Sequence, residues 1–275
     1  MRAFLILALL PSIAAADVAT DLTARLEAIA SKSTKTTSDT PQFAFTSNVL
    51  VEKPASLDEA TFGLPEIALA QKGKVSVGST GDVAFISANL DEFAYCAKPR
   101  CPNQTAETQL RATVLFEKAN NAWQPLAWSI TPPINGNNQV LAIAQKIFPD
   151  VMGKDLGGAD EPAKAFETAL ADPKLLGAMV SARKEVVLYG SELPERWATG
   201  ATVKSQLASW GIGFKPRDGM RAGLSKSGTF AWVAANVDGS FVKLKRPPVP
   251  YRVFAILEKT GKDWKIVALQ FSTAV

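Results

Sequence analysis

The chain has 275 residues, a formal charge of +4, 47% hydrophobic residues, two cysteines and no histidine. Without histidine there is no Ser-His-Asp triad and no imidazole metal ligand. So small a charge, carried by scattered Lys and Arg, excludes the dense basic face that nucleic acid demands, and the length suits two domains.

Residues 1–16 read as a secretory signal peptide: Met1-Arg2, the apolar run 3–10, then the small-residue site Ala14-x-Ala16. Cleavage is expected after Ala16, with the product periplasmic or secreted. The run falls short of the about 20 residues that span a bilayer, and no later stretch supplies a membrane span. Residues 17–33 have helical spacing, with Val18, Leu22, Leu26 and Ile29 on one stripe. Residues 31–40 are a Ser/Thr/Lys loop, 43–51 a strand, and 57–71 a helix broken near Gly63-Leu64-Pro65. Strands 74–79 and 82–90 meet at Thr80-Gly81, and strands 109–117 and 122–131 are joined through Asn120-Asn121.

Between these pairs lie Cys96 and Cys101, which in an exported chain read as a disulfide closing a short loop. A redox pair favours two intervening residues rather than the four present, and a metal site needs further ligands. No metal and no cofactor is expected.

Thr131-Pro-Pro-Ile-Asn-Gly136 breaks the pattern, 140–148 has helical spacing, and three glycines within 153–160 close the linker. Helices follow at 162–170 and 173–182, each with proline in its first turn, where the missing N–H costs nothing. A strand at 185–189, a helix at 199–210 and strands at 219–225, 229–237, 251–259 and 264–271 complete the chain. Lys243-Leu-Lys245-Arg246 reads as a solvated loop.

The order repeats, and so do particular residues. Gly81, Ala84, Ala88, Asn89 and Asp91 are matched by Gly228, Ala231, Ala235, Asn236 and Asp238. Arg111, Glu117-Lys118, Trp123 and Ala127 are matched at identical spacing by Arg252, Glu258-Lys259, Trp264 and Ala268. An interval of about 140 residues implies a duplicated domain, not a solenoid with its period of roughly 20–50. The first copy is placed at 17–135, a linker at 136–160 and the second copy at 161–275. Each copy has helices and a strand, then four antiparallel strands as a meander, which is an α+β architecture.

Gly-Thr-Phe-Ala-Trp-Val (228–233), Tyr251-Arg252, Leu257-Glu258-Lys259, Trp264-Lys-Ile-Val267 and Glu195-Arg-Trp-Ala-Thr-Gly200 resemble the SnoaL-like branch of the nuclear-transport-factor-2-like (NTF2-like) superfamily. The resemblance covers most of 161–275 and, more thinly, 73–131. It implies a cone-shaped α+β barrel in each copy, a curved antiparallel sheet around N-terminal helices enclosing an apolar pocket. It also implies that the two cones pair through their sheets as an intramolecular pseudo-dimer. The superfamily holds isomerases, cyclases, dehydratases, small-molecule binders and assembly domains, so fold alone leaves function open.

Many SnoaL-like domains carry histidines on the last strand where this chain has Ala268 and Gln270, or Ala127 and Ser129 in the first copy. The residue best suited to proton transfer near neutral pH is therefore missing. Asp91, Asp238, Glu117 and Glu258 fall at strand ends or beside lysines, where solvation is expected, so no catalytic residue is assigned. Alternation puts Trp232, Ala234 and Asn236 on one face, and Trp264, Ile266, Ala268, Gln270 and Ser272 on another. Trp232, Asn236 and Gln270, with Trp197 and Tyr189, are the candidate ligand pocket; the competing reading makes them core. The expected function is a non-catalytic ligand-binding or assembly module, taking a small apolar ligand or a protein partner. The alternative is an isomerase- or cyclase-like enzyme acting on a small hydrophobic cyclic substrate.

Overall fold

The computed structural model describes residues 10–30, 41, 43–45, 50–60, 68–69, 76–91, 109–134, 151–241 and 247–273. Residues 1–9, the Cys96–Cys101 segment, the helix expected over 140–148 and Lys243–Arg246 lie outside the described residues.

Leu22, Leu26 and Ile29 are fully buried along one side of helix α1, Leu10–Ala30. The helix starts ahead of Asp17, because the alanines before it are strong helix formers with nothing to stop them. The first sheet holds β1 (Phe43–Phe45), β2 (Leu50–Glu52), β3 (Ala68–Leu69), β4 (Ser76–Thr80), β5 (Val83–Asp91), β6 (Gln109–Ala119) and β7 (Ala122–Thr131). Its order is β2-β1-β7-β6-β5-β3, with β4 also on β5. Two expectations fail here. The strand over 43–51 is two antiparallel strands, with Phe45 opposite Leu50. Of the helix expected over 57–71, Leu57–Ala60 form the turn α2, started by the Ser56 hydroxyl accepting from Glu59 N–H, Ala68–Leu69 pairs with β5 instead, and 61–67 and 70–71 lie outside the described residues.

The second copy begins with α3 (Asp160–Leu170) and α4 (Pro173–Ala178). Asp172 caps α4 by accepting from Lys174 N–H at 2.7 Å, with Pro173 in the first turn. Next come β8 (Val187–Tyr189), β9 (Arg196–Ala198) and α5 (Gly200–Trp210), then β10 (Ile212–Leu224), β11 (Phe230–Phe241), β12 (Val249–Thr260) and β13 (Asp263–Ser272). The sheet runs β10-β11-β12-β13-β8-β9. β10 starts well before the expected Gly219, continuing through a register shift between Pro216 and Met220.

The duplication extends to register. β1 lies parallel to β7 with Phe43 opposite Ala127, and β8 lies parallel to β13 with Val187 opposite Ala268. Each copy carries a bulge at the same place, between Leu115 and Phe116 and between Ile256 and Leu257. Both copies are α+β, with mixed sheets and few helices.

Each sheet has two buried faces. Toward the helices, the first sheet packs Ile86, Val114, Phe116 and Trp128 under α1. The second packs Val233, Ala235, Leu257 and Ile266 against Phe166, Leu170, Val203 and Leu207. The opposite faces meet in one apolar cluster: Phe43, Phe85, Leu115 and Ala127 from the first sheet, Trp232, Phe254, Ile256 and Ala268 from the second. Polar ties frame this joint. Glu117 accepts from Lys226 N–H at 2.5 Å, and Glu258 accepts from Arg183 Nε and Nη2 at 2.8 and 2.7 Å and from Thr80 Oγ1 at 3.3 Å. Glu117, buried, and Glu258, half-buried, are thus hydrogen-bonded across the joint and are not the solvated acids expected of them.

Candidate functional site

The five residues picked out as a pocket do not converge. Trp232 stacks on Phe43 of the first copy, ring centroids 4.5 Å apart and 20° from parallel. Gln270 donates through Nε2 to Thr131 Oγ1 at 2.8 Å and to Arg111 O at 3.2 Å, both in the first copy. Tyr189 is in the same joint, with the Arg111 guanidinium 5.0 Å from its ring centre. Asn236 accepts from Arg252 Nε at 3.0 Å and donates to Asp218 Oδ2 at 3.1 Å. Only Trp197 packs on the helix side, edge-on to Trp210 at 5.9 Å. The face grouping on the last strand is corrected by its bulge. Trp264 and Ile266 face the helices, whereas Val267 and Ala268 both face the other sheet. An extra residue resets the alternation from there on.

The helix side of the second copy holds a different site. Trp210 ends α5, and Gly211 turns the chain left-handed into β10, which brings Ile212 and Phe214 beside it. Tyr251 comes from β12 and Phe271 from β13; Phe214 and Phe271 lie 4.8 Å apart, and Trp210 meets Phe271 edge-on at 5.5 Å. These side chains, with Ser191 and Glu195 of the β8–β9 loop, line a half-enclosed pocket of about 90 Å³. The loop folds on itself. Gly190 N–H donates to Glu195 O, Glu195 N–H to Glu192 O, and Glu192 N–H to Glu195 Oε2 at 2.8 Å. Gly190 is required, since a Cβ there would land on the Glu195 side chain.

Burial pushes the Glu195 carboxyl above the usual carboxylate range. The Glu192 charge adds to this, while the Glu192 and Ser191 N–H groups and the Arg111 cation pull the other way. Burial, with Glu195 and Glu192 behind it, pushes Tyr251 up to about 12, so its hydroxyl keeps its proton at neutral pH. The pocket therefore offers two hydrogen-bonding groups at one side of an aromatic wall, one of them a carboxyl that burial makes harder to ionise. Glu195 and Tyr251 were not selected from the sequence, because neither belongs to a repeated block. The one available signal was Gly190 ahead of Ser-Glu-Leu-Pro-Glu195, a small residue where a short loop doubles back.

A pH dependence follows. A carboxyl with a raised folded pKa keeps its proton in the folded state over a window where the unfolded chain has released it. Stability therefore falls as pH rises through that window and stays lower above it. Glu195→Gln removes the effect, so its unfolding free energy declines less than wild type as pH rises above the ordinary carboxylate range of about 4. Urea midpoints across that rise measure it; parallel curves would place Glu195 in bulk-like solvent.

A second cleft, of about 400 Å³, opens between the copies beside Phe43, Glu52, Asp155, Arg221 and Trp232. Of its two cations, Lys53 and Arg221, the latter is committed: Arg221 donates to Met152 O at 2.6 Å and pairs with Glu52 at 2.8 Å. Among the described residues, no cluster of acids and cysteines is placed to hold a metal ion, and no helix is long and apolar enough to cross a membrane.

No protein-family model and no curated protein matches the chain. Solved structures of similar shape do exist. One from Xanthomonas campestris, provisionally named a calcium/calmodulin dependent protein kinase II association domain, is 19% identical, with 45% of this chain and 96% of that one covered and a TM-score of 0.37. One from Shewanella frigidimarina, provisionally named a ketosteroid isomerase, is 17% identical over 43% of this chain and 100% of that one, TM-score 0.32. An NTF2-like protein of unknown function from Pseudomonas putida KT2440 is 10% identical over 43% and 89%, TM-score 0.34. A protein of unknown function from Nostoc punctiforme, described as having a cystatin-like fold, is 12% identical over 43% of this chain and 94% of that one, TM-score 0.32.

Proposed function

We propose that this chain is an exported binding module of two cones, 17–135 and 161–275, that pair as an intramolecular pseudo-dimer. Its second cone holds the end of a small, mainly apolar ligand against Glu195 and Tyr251. The observation that carries the reading is the half-buried Glu195 carboxyl at the edge of an aromatic pocket. Aromatic and aliphatic side chains line most of that pocket, where a buried carboxyl is costly, and the loop N–H groups meet only part of its hydrogen-bonding capacity. The space is smaller than the about 150 Å³ that holds a benzene ring, so it suits a ring edge or short alkyl end whose polar group meets Glu195 or Tyr251. The signal peptide and the Cys96–Cys101 disulfide belong to the same reading, since both suit an oxidising compartment.

Glu195 favours a second reading. A carboxyl pushed above its usual range beside a protonated phenol is the acid–base pair that an isomerase- or cyclase-like reaction requires.

Native mass spectrometry of the protein from its own host's exported fraction tests both. A chain starting at Asp17 and two hydrogens lighter than its reduced form supports export and the disulfide. An added organic mass in wild type, absent from Glu195→Leu, supports the binding site. A bare chain in both variants overturns it and leaves the joint as an assembly device. Returning the released compound to fresh protein separates binder from enzyme, because only an enzyme converts it.

A further inference from the structure

The β8–β9 loop is short, yet the carbonyls of four successive residues, Gly190 to Leu193, are all bound by the first copy. Arg111 on β6 donates through Nη1 to Gly190 O at 2.7 Å and through Nη2 to Glu192 O at 2.8 Å and Leu193 O at 2.6 Å. Ile134, just past β7, donates to Ser191 O at 2.8 Å and accepts from Leu193 N–H at 2.9 Å. Arg111 is only 2% exposed, stacks on Tyr189 and has its own carbonyl held by Gln270 Nε2 at 3.2 Å. The backbone of Glu192 is the pivot: its N–H donates to the Glu195 carboxyl and its C=O is held by Arg111.

We infer that Arg111 is the positioning residue of the pocket: the first copy clamps the loop that aims Glu195, so the ligand site of one copy is set by the other. This rests on the reading of the Glu195 pocket as the binding site. A planar guanidinium reaches the three carbonyls from two nitrogens in a fixed fork, whereas an ammonium carries its three donors on a single nitrogen.

Two roles for Arg111 give opposite signs. As a nearby cation it favours ionised Glu195, so its removal would raise the Glu195 pKa further. As a clamp it keeps the loop folded over the carboxyl, so its removal lets water in and the pKa falls toward the ordinary range. The other groups facing Glu195 are Glu192 on its own loop and Tyr251 on β12, with Arg196 and Tyr189 adjoining Arg111; none changes in the test.

The experiment is a carboxyl-carbon NMR titration of Glu195 in the whole mature chain, the signal assigned by its loss in Glu195→Gln. The Glu195 pKa is expected to fall in Arg111→Gln although a neighbouring cation has gone, and to fall part-way in Arg111→Lys, which keeps the charge without the fork. A rise in Arg111→Gln with no change in Arg111→Lys overturns the clamp, as does no change in either. Should Arg111→Gln not fold, Arg111→Lys decides alone: a fall supports the clamp and an unchanged pKa overturns it. The titration uses no ligand, so it stands or falls independently of whether the exported protein retains one.

Discussion

Replacing Trp232 with alanine lowers the unfolding free energy by about 3–5 kcal/mol, at the upper end for a single large-to-small change. The indole is 6% exposed and fills the space between the two sheets, stacked on Phe43. Opposite it on β10 stands Gly223, where a Cβ would meet Trp232 Nε1 at 2.5 Å. The missing side chain there leaves a slot that only the ring occupies. Two packed sheets hold their spacing through many strands at once, so the joint cannot close over the gap. The lost contact and the residual cavity therefore both count. Denaturant unfolding followed by the remaining tryptophans measures the loss. Less than about 1 kcal/mol would mean that the copies re-dock around the smaller side chain. A transition that splits into two would show that Trp232 also couples the unfolding of the copies.

The repeated blocks made the duplication and the meander legible, because turn glycines, hairpin tryptophans and alternating strands leave local marks. The stripe Leu22, Leu26, Ile29 was readable for the same reason. What stayed hidden depends on contacts between copies. Alternation says which residues share a face but not what covers it. Trp232 and Ala234 do share one, and it meets the other sheet, with Trp232 also bordering the cleft between the copies. Val267 gives no sign in the sequence that it is an extra residue that resets the last strand. Glu117 looks like a surface acid in a single domain and becomes a buried tie only when the second copy arrives, while the half-buried Glu258 gains Thr80 of the first copy. Glu195 lies in a loop whose shape is imposed by Arg111 from a distant part of the chain, a relation that no local pattern encodes.

Gly219→Ala is expected to cost about 3–5 kcal/mol, the sum of two penalties of similar size, backbone strain and overpacking. Its φ is +111°, a conformation that L side chains rarely adopt. A Cβ there would also fall on the Gly153 carbonyl and within 3.1 Å of Lys154 N. Those are backbone atoms of the segment before α3, and that segment is pinned. Asp155 N–H donates to Met220 O at 3.2 Å, Ala222 N–H to Asp155 O at 2.9 Å, and Arg221 Nε to Met152 O at 2.6 Å, while Met152 is buried in the joint. Moving it aside breaks those bonds and withdraws Met152. Gly158→Ala is the control, because its φ of +80° carries the strain while nothing lies within 4 Å of the added methyl. It is expected to cost about 1 kcal/mol. Guanidinium unfolding of both variants separates strain from collision. Equal losses would mean that the segment yields to the methyl, and that residues 151–159 rest on β10 without being fixed there.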